Sequence, residues 1–171
     1  MASFGVESVW VTGRPSLAVI TTGAELAEPG QQPGPGQIRD SNGPMLAALA
    51  RQAGVEVTPH LHAADELEEL RGALETVADR NLILLSGGVS AGDYDLVPQA
   101  VADYGAKIVF HKVRQKPGKP LLFARKGRQL LFGLPGNPLA AHLCFVRYVA
   151  PAIRRMEGKP AEPQTCFGRL T

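Results

Sequence analysis

Apolar positions along this chain fall into two recurring patterns. Near-continuous apolar runs, Leu-rich or β-branched, occupy residues 16–21, 55–61, 82–86, 107–112, 121–125 and 129–132. Short runs of this kind bounded by turn residues predict buried strands. Between them the apolar spacing changes to threes and fours. Residues 44–52 follow Ser41-Asn42, residue types that cap helices, and the pattern stops at Gly54. A second helix is predicted from a cap at Asp65 through Asp79, with Leu67, Leu70, Leu74 and Val77 on one face. A third runs from Asp95 to Asp103. Pro138, well suited to a first helical position, opens a fourth that carries Leu139, Leu143, Val146, Ala150 and Ile153 inward.

Strands and helices alternating at this density predict an α/β fold, a three-layer αβα sandwich around a mostly parallel sheet. Residues 121–132 read as an added hairpin turning at Lys126-Gly127, and residues 28–36 as an ordered Pro/Gly loop. No internal repeat is visible. The expected organisation is a lead-in over residues 1–14, one α/β domain over 15–158, and a polar, Pro-containing tail over 159–171 that begins a further domain.

Composition narrows the class. The 171 residues suit one domain; 44% are hydrophobic and 20% charged, which argues against disorder. No apolar run approaches the roughly 18 residues of a membrane span. The N-terminus has neither the basic start nor the apolar centre of a signal peptide. Cys144 and Cys166 form no metal or redox spacing, and Cys144 sits among apolar helix positions that predict core. The expectation is a cytoplasmic protein with reduced thiols and no membrane partner.

The net charge of +2 hides a polarity. Residues 1–103 carry 5 Arg, no Lys and 14 Asp or Glu, whereas residues 104–156 carry 11 Lys or Arg and no acid. Either the two halves neutralise each other in the fold, or the basic half faces an anion. Aromatic residues, 6% of the chain, do not interleave with the basic segment, which argues against a nucleic-acid platform.

Open α/β sheets gather ligands where strands end and helices begin, and four such loops carry chemistry. The first is Ser86-Gly87-Gly88-Val89-Ser90-Ala91-Gly92-Asp93-Tyr94-Asp95. Its glycines allow close backbone approach, and N–H groups at a helix start favour an anion. Asp93 and Asp95 would hold a hard divalent cation such as Mg²⁺; the plain alternative is a tight turn with Asp95 as a helix cap. The second is the basic run from Lys112 through Arg114 and Lys116-Pro117-Gly118-Lys119-Pro120, where a stiff turn aims Lys119 and lysines suit a phosphate or oxyanion; the plain alternative is a solvated basic loop. The third, Gly133-Leu134-Pro135-Gly136-Asn137-Pro138, joins a strand to the last helix and either starts that helix or holds a polar ligand. The fourth pairs Thr21-Thr22-Gly23-Ala24-Glu25 with residues 37–42, placing the carboxylates Glu25 and Asp40 at strand ends, where each is either functional or a plain cap or surface charge; Asp65, which opens a helix, has the same two readings. His60 and His62 alternate on one strand and share a face, a weak metal pair without a third ligand. No nucleophile elbow, P-loop or dinucleotide fingerprint is present.

Taken together, SGGVSxGxxD, KPGKP and GLPGNP, preceded by TTGAEL and PGQIRDSN, resemble the molybdopterin molybdotransferase (MoeA) family, which includes the E domain of gephyrin. The resemblance spans residues 8–158. It implies a fold related to the molybdopterin adenylyltransferase (MogA), and a parent transferase that inserts molybdate into adenylylated molybdopterin with Mg²⁺ and releases AMP. It also implies a homodimer in the full-length protein and a MogA-type adenylyltransferase as partner. Carried over by motif, the functional positions are Glu25, Asp40, Asp65, Asp93, Asp95, Lys112, Lys116, Lys119, Pro135 and Pro138. Ala24 stands where the family usually has an acid, and Asp93 where relatives often have Glu. Family active sites lie between this domain and its neighbours, so the resemblance implies ligand binding rather than turnover by the chain alone. The competing readings are an adenylyltransferase of the MogA or CinA type and a non-catalytic, gephyrin-like scaffold.

Overall fold

A computed structural model describes residues 1–27, 30–88 and 95–162. Six strands form the main sheet: β1 (Ser16–Thr22), β4 (Glu56–Ala63), β5 (Leu82–Ser86), β6 (Lys107–His111), β7 (Leu122–Lys126) and β8 (Gln129–Leu134). Their order is β4-β1-β5-β8-β7-β6. The pairs β1–β4, β1–β5 and β5–β8 are parallel, while β7 runs antiparallel to both neighbours. Two-residue strands β2 (Leu26–Ala27) and β3 (Ile38–Arg39) form a small separate pair that the hydrophobic pattern does not announce.

Helices α1 (Asn42–Gln52), α4 (Pro138–Cys144) and α5 (Ala150–Met156) cover one face, and α2 (Leu67–Thr76) and α3 (Leu96–Asp103) the other. Successive residues of β1 alternate between the two cores: Leu17 and Val19 pack toward α1 and α4, Ala18 and Ile20 toward α2 and α3. Every residue of β5 is buried, as a central parallel strand covered on both faces demands. The three-layer sandwich read from the sequence is therefore the observed one.

The differences are local and have physical causes. The strand predicted over 107–112 ends at His111 because Lys112 turns to φ 73°, a left-handed conformation no strand accepts. The strand predicted over 129–132 continues to Leu134, because Gly133 and Leu134 pair with Leu85 and Ser86 of β5. The helix predicted from Asp65 to Asp79 starts at Leu67 and stops at Thr76, and Glu66 rather than Asp65 precedes it.

The last helical segment buries Ile153 as predicted, but over its first turns it buries a different face. Leu139, Leu143 and Val146 are exposed, and Ala140, Ala141, Cys144, Phe145 and Val149 point inward. Small residues at 140, 141 and 144 let the helix approach the sheet closely, and Phe145 fills the remaining space. The helix widens to a π-helical turn at Phe145–Val149, just before Pro151, whose missing N–H cannot serve the α-helical ladder. Among the described residues no helix is long and apolar enough to cross a membrane.

Candidate functional site

Connectivity fixes where a cleft can form. From β1 the chain crosses to β4 on one side of the sheet, then returns to β5 on the other side of β1. Loops leaving β1 and β5 therefore diverge, and the gap beyond their carboxyl ends is the usual ligand position in such sheets. Here it is a cleft of about 350 Å³ lined by Thr22, Glu25, Asp65, Gly87, Gly118 and Asn137, among others. A narrower recess of about 90 Å³ adjoins it, sharing Thr22, Glu25, Gly87 and Gly136 and reaching Asp40 and Asn42.

Close backbone approach explains the glycine turn. A Cβ on Gly87, which has φ 98°, would lie 2.0 Å from the Thr22 carbonyl oxygen. Only glycine lets the ends of β1 and β5 close together there. Ser86 is buried, and its hydroxyl accepts from Asn42 Nδ2 at 2.9 Å. The same Nδ2 donates to the Gly136 carbonyl at 2.8 Å, which draws the β8 turn toward α1. Asn137 caps α4, accepting from the Ala140 amide at 3.1 Å. The helix-start reading of that turn is thus realised, and Pro135, Gly136 and Asn137 line the cleft as well; Pro138 lines the recess.

The three carboxylates differ in their surroundings. Glu25 is exposed, lines both cavities, and its carboxylate makes no hydrogen bond or ion pair among the described residues. Asp65, instead of capping α2, accepts from the Thr22 hydroxyl at 2.5 Å. Asp40 is buried and held by the Thr21 hydroxyl at 2.7 Å, the Gly43 amide at 2.9 Å and His60 Nε2 at 3.0 Å. Burial alone would raise its pKa, but the bonds from His60, Gly43 and Thr21 prevail and hold it at about 2. Asp40 is therefore a fixed anion, and it supplies the capping contact to α1 that Ser41 does not make.

The lysine loop comes in from the opposite side. Its turn is anchored to the last helix: Tyr148 donates its hydroxyl to Gln115 Oε1 at 2.9 Å, and Gln115 Nε2 donates to the Pro117 carbonyl at 2.8 Å. Gly118 is buried, and a Cβ there would come within 2.7 Å of Cys144 Sγ. This packing places Gly118 and Pro120 in the lining of the cleft together with Glu25 and Asp65. Lys112, Lys116 and Lys119 are exposed and form no ion pair among the described residues. Cys144 is core, as expected, and its burial pushes the thiol pKa up, away from reactivity.

Asp95 is nearly buried. Neither of its oxygens finds a hydrogen-bond partner among the described residues, and it makes no capping bond to α3. His111 Nε2, also without a hydrogen bond, lies 3.6 Å away. Desolvation raises the Asp95 pKa to about 6, with the Lys112 charge pulling the other way. Val89, Ser90, Gly92 and Asp93 lie outside the described residues. Among the described residues no cluster of three or more His, Cys, Asp or Glu stands ready to hold a metal.

Two residues take roles in the fold that the sequence pattern does not assign them: by that pattern Asn42 is a cap and His60 half of a weak metal pair. Asn42 bridges the ends of β5 and β8, and His60 grips Asp40. His60 and His62 go to different neighbours, the second lining a groove beside Glu68 and Glu69 of α2. No local pattern marks either role, because both depend on partners far away in sequence.

This arrangement matches known proteins closely. Residues 18–155 fit the model of a probable molybdopterin-binding domain, and the chain belongs to that family. A molybdopterin molybdenumtransferase from Staphylococcus epidermidis is 40% identical over 162 residues, covering 94% of this chain and 39% of the relative. The chain thus spans about two fifths of the length of the curated relatives it matches. Among solved structures, a molybdopterin biosynthesis MoeA protein from Pyrococcus horikoshii superposes with a TM-score of 0.77 at 30% identity, over 85% of this chain and 36% of that one. A MoaB protein from Thermus thermophilus shares the fold at a TM-score of 0.58 and 20% identity, over 86% of this chain and 99% of that one. The protein is thus a domain of the molybdopterin-binding family of molybdenum-cofactor biosynthesis.

Proposed function

We propose that the domain binds adenylylated molybdopterin and molybdate for a Mg²⁺-dependent transferase that inserts molybdenum into the pterin and releases AMP. One observation carries the reading: Glu25 and Asp65, the glycine turn of β5 and the backbone of the lysine loop share one cleft, although they come from separate strand ends. The glycine turn and Asn137 present close-approach backbone to a phosphate region. Lys112, Lys116 and Lys119 attract molybdate and offset the charge that develops on the leaving phosphate. Glu25, unengaged and exposed, is placed to position a water or move a proton; Asp65 orients the same edge through Thr22. Asp40, held ionised by three donors, keeps the α1 end of the recess in shape and moves no proton.

The chemistry of Asp95 fits a cation. Its two oxygens are nearly buried and have no hydrogen-bond partner among the described residues, and a Mg²⁺ ion needs only one or two carboxylates when substrate phosphates and waters complete its shell. When bound, Mg²⁺ would neutralise phosphoanhydride charge as that bond breaks. Asp95 would hold it, with Asp93 as a second carboxylate.

Because the chain spans about two fifths of its relatives, turnover is proposed for the longer protein, acting as a homodimer and supplied by a MogA-type adenylyltransferase. The test is a chimera in which this chain replaces the corresponding segment of the S. epidermidis relative. Given adenylylated molybdopterin, molybdate and Mg²⁺, the chimera is expected to release AMP only when molybdate is present. A folded chimera with no such release, together with ATP-dependent AMP transfer onto molybdopterin by this chain, would replace the proposal with the adenylyltransferase reading.

A further inference from the structure

The first turn of α1 forms one wall of the recess beside the cleft, so its direction sets the shape of that recess. Asp40 controls the turn from one side, Oδ1 accepting the Gly43 amide at 2.9 Å and Oδ2 the Thr21 hydroxyl at 2.7 Å. The His60 ring, on β4, brings Nε2 within 3.0 Å of the same Oδ2. An ionised carboxylate can only accept, so Nε2 carries the proton that faces it. The ring is seated against the turn itself: a Cβ on Gly43 would lie 2.0 Å from Nε2 and 2.8 Å from Asp40 Oδ2. Any other residue at position 43 would push the ring off the carboxylate.

On the far side of the same turn, Asn42 Nδ2 donates to Ser86 Oγ and to the Gly136 carbonyl. His60, Asp40, the α1 turn and Asn42 therefore make one continuous chain, and it joins the carboxyl ends of β4, β1, β5 and β8. Asn42 Oδ1 is buried with no partner among the described residues, so among those residues the two Nδ2 bonds alone orient the side chain.

We infer that His60 is a positioning residue of the cleft: it holds Asp40, Asp40 holds the α1 turn, and the turn holds Asn42 across the strand ends that present Ser86 and Gly136. The inference rests on the proposed substrates only for its ligand-binding arm. The side chain is suited to the task because it combines one directed N–H with a flat face that fits over glycine. Its outer edge meets solvent, the side chain being 30% exposed.

The experiment compares His60→Gln, which keeps an N–H where the ring has Nε2, with His60→Leu, which keeps bulk and loses the donor. His60→Met replaces His60→Leu if the latter does not fold. The Asn42 side-chain amide and the Ser86 and Gly136 backbone amides are followed by NMR, and binding of 5′-AMP and of molybdate by calorimetry. His60→Leu is expected to shift those amide signals and weaken any probe the wild type binds about five-fold, the equivalent of one hydrogen bond. His60→Gln is expected to restore both. Unmoved amide signals in folded His60→Leu overturn the inference, and so does an equal disturbance in the Gln and Leu variants, which would assign the effect to ring bulk. A wild type that binds neither probe counts against the proposed substrates alone, since the amide signals read the α1 turn without ligand.

Discussion

The Thr22 hydroxyl donates to the Asp65 carboxylate at 2.5 Å, tying the end of β1 to a residue two positions before the start of α2 across 43 positions of sequence. The contact takes Asp65 away from helix capping and turns it toward the cleft. Thr22→Val removes the donor and leaves a part-buried carboxylate short of one bond. The expected cost is about 1–2 kcal/mol, read as a lower urea midpoint with an unchanged slope. Thr22→Ser should recover most of it.

The Glu25 carboxylate has no such partner among the described residues, so its removal should be silent in the fold. Glu25→Gln is expected to change stability by less than about 0.5 kcal/mol. If Glu25 moves a proton, the same change in the S. epidermidis chimera lowers molybdate-dependent AMP release by roughly 10²–10⁴-fold. Unaltered release would remove Glu25 from the chemistry.

Asp40 makes stability depend on acid. Its pKa falls from 3.8 to about 2 on folding, so the native state holds the carboxylate ionised where the unfolded chain would protonate it. That contribution is fully present above about pH 4 and is lost as the pH falls through about 2. Asp40→Asn should destabilise the protein at neutral pH and flatten the fall in Tm across this window. A mutant whose acid profile parallels the wild type would show that other groups govern the decline.

Lys116 and Lys119 are exposed and unpaired among the described residues, so they contribute little to folding. The double variant Lys116→Ala, Lys119→Ala should melt within a few degrees of the wild type. Molybdate binding, measured by calorimetry at low ionic strength, should weaken by about tenfold, and its salt dependence should shrink with the lost charge. Equal affinity in both proteins would direct the anion to another part of the basic segment.

The sequence by itself determined the layers. Continuous apolar runs at 16–21 and 82–86 belong only to strands covered on both faces, and threefold and fourfold spacing in residues 67–77 belongs only to a helix lying on them. These are local regularities of backbone geometry, readable without partners. The sequence also disclosed the glycine, lysine and proline turns, because close backbone approach and fixed turns demand those residue types wherever they occur. Tertiary structure decided the rest. It buried Ala140, Ala141 and Cys144 in place of Leu139 and Leu143, because the distance from helix to sheet selects small side chains over large ones. It drew Asp65 to Thr22, fixed Asp40 as an anion under His60, and set Asn42 across two strand ends. Each of those roles is a hydrogen bond between residues nineteen or more positions apart. Such bonds exist only once the order of the strands has brought their ends together.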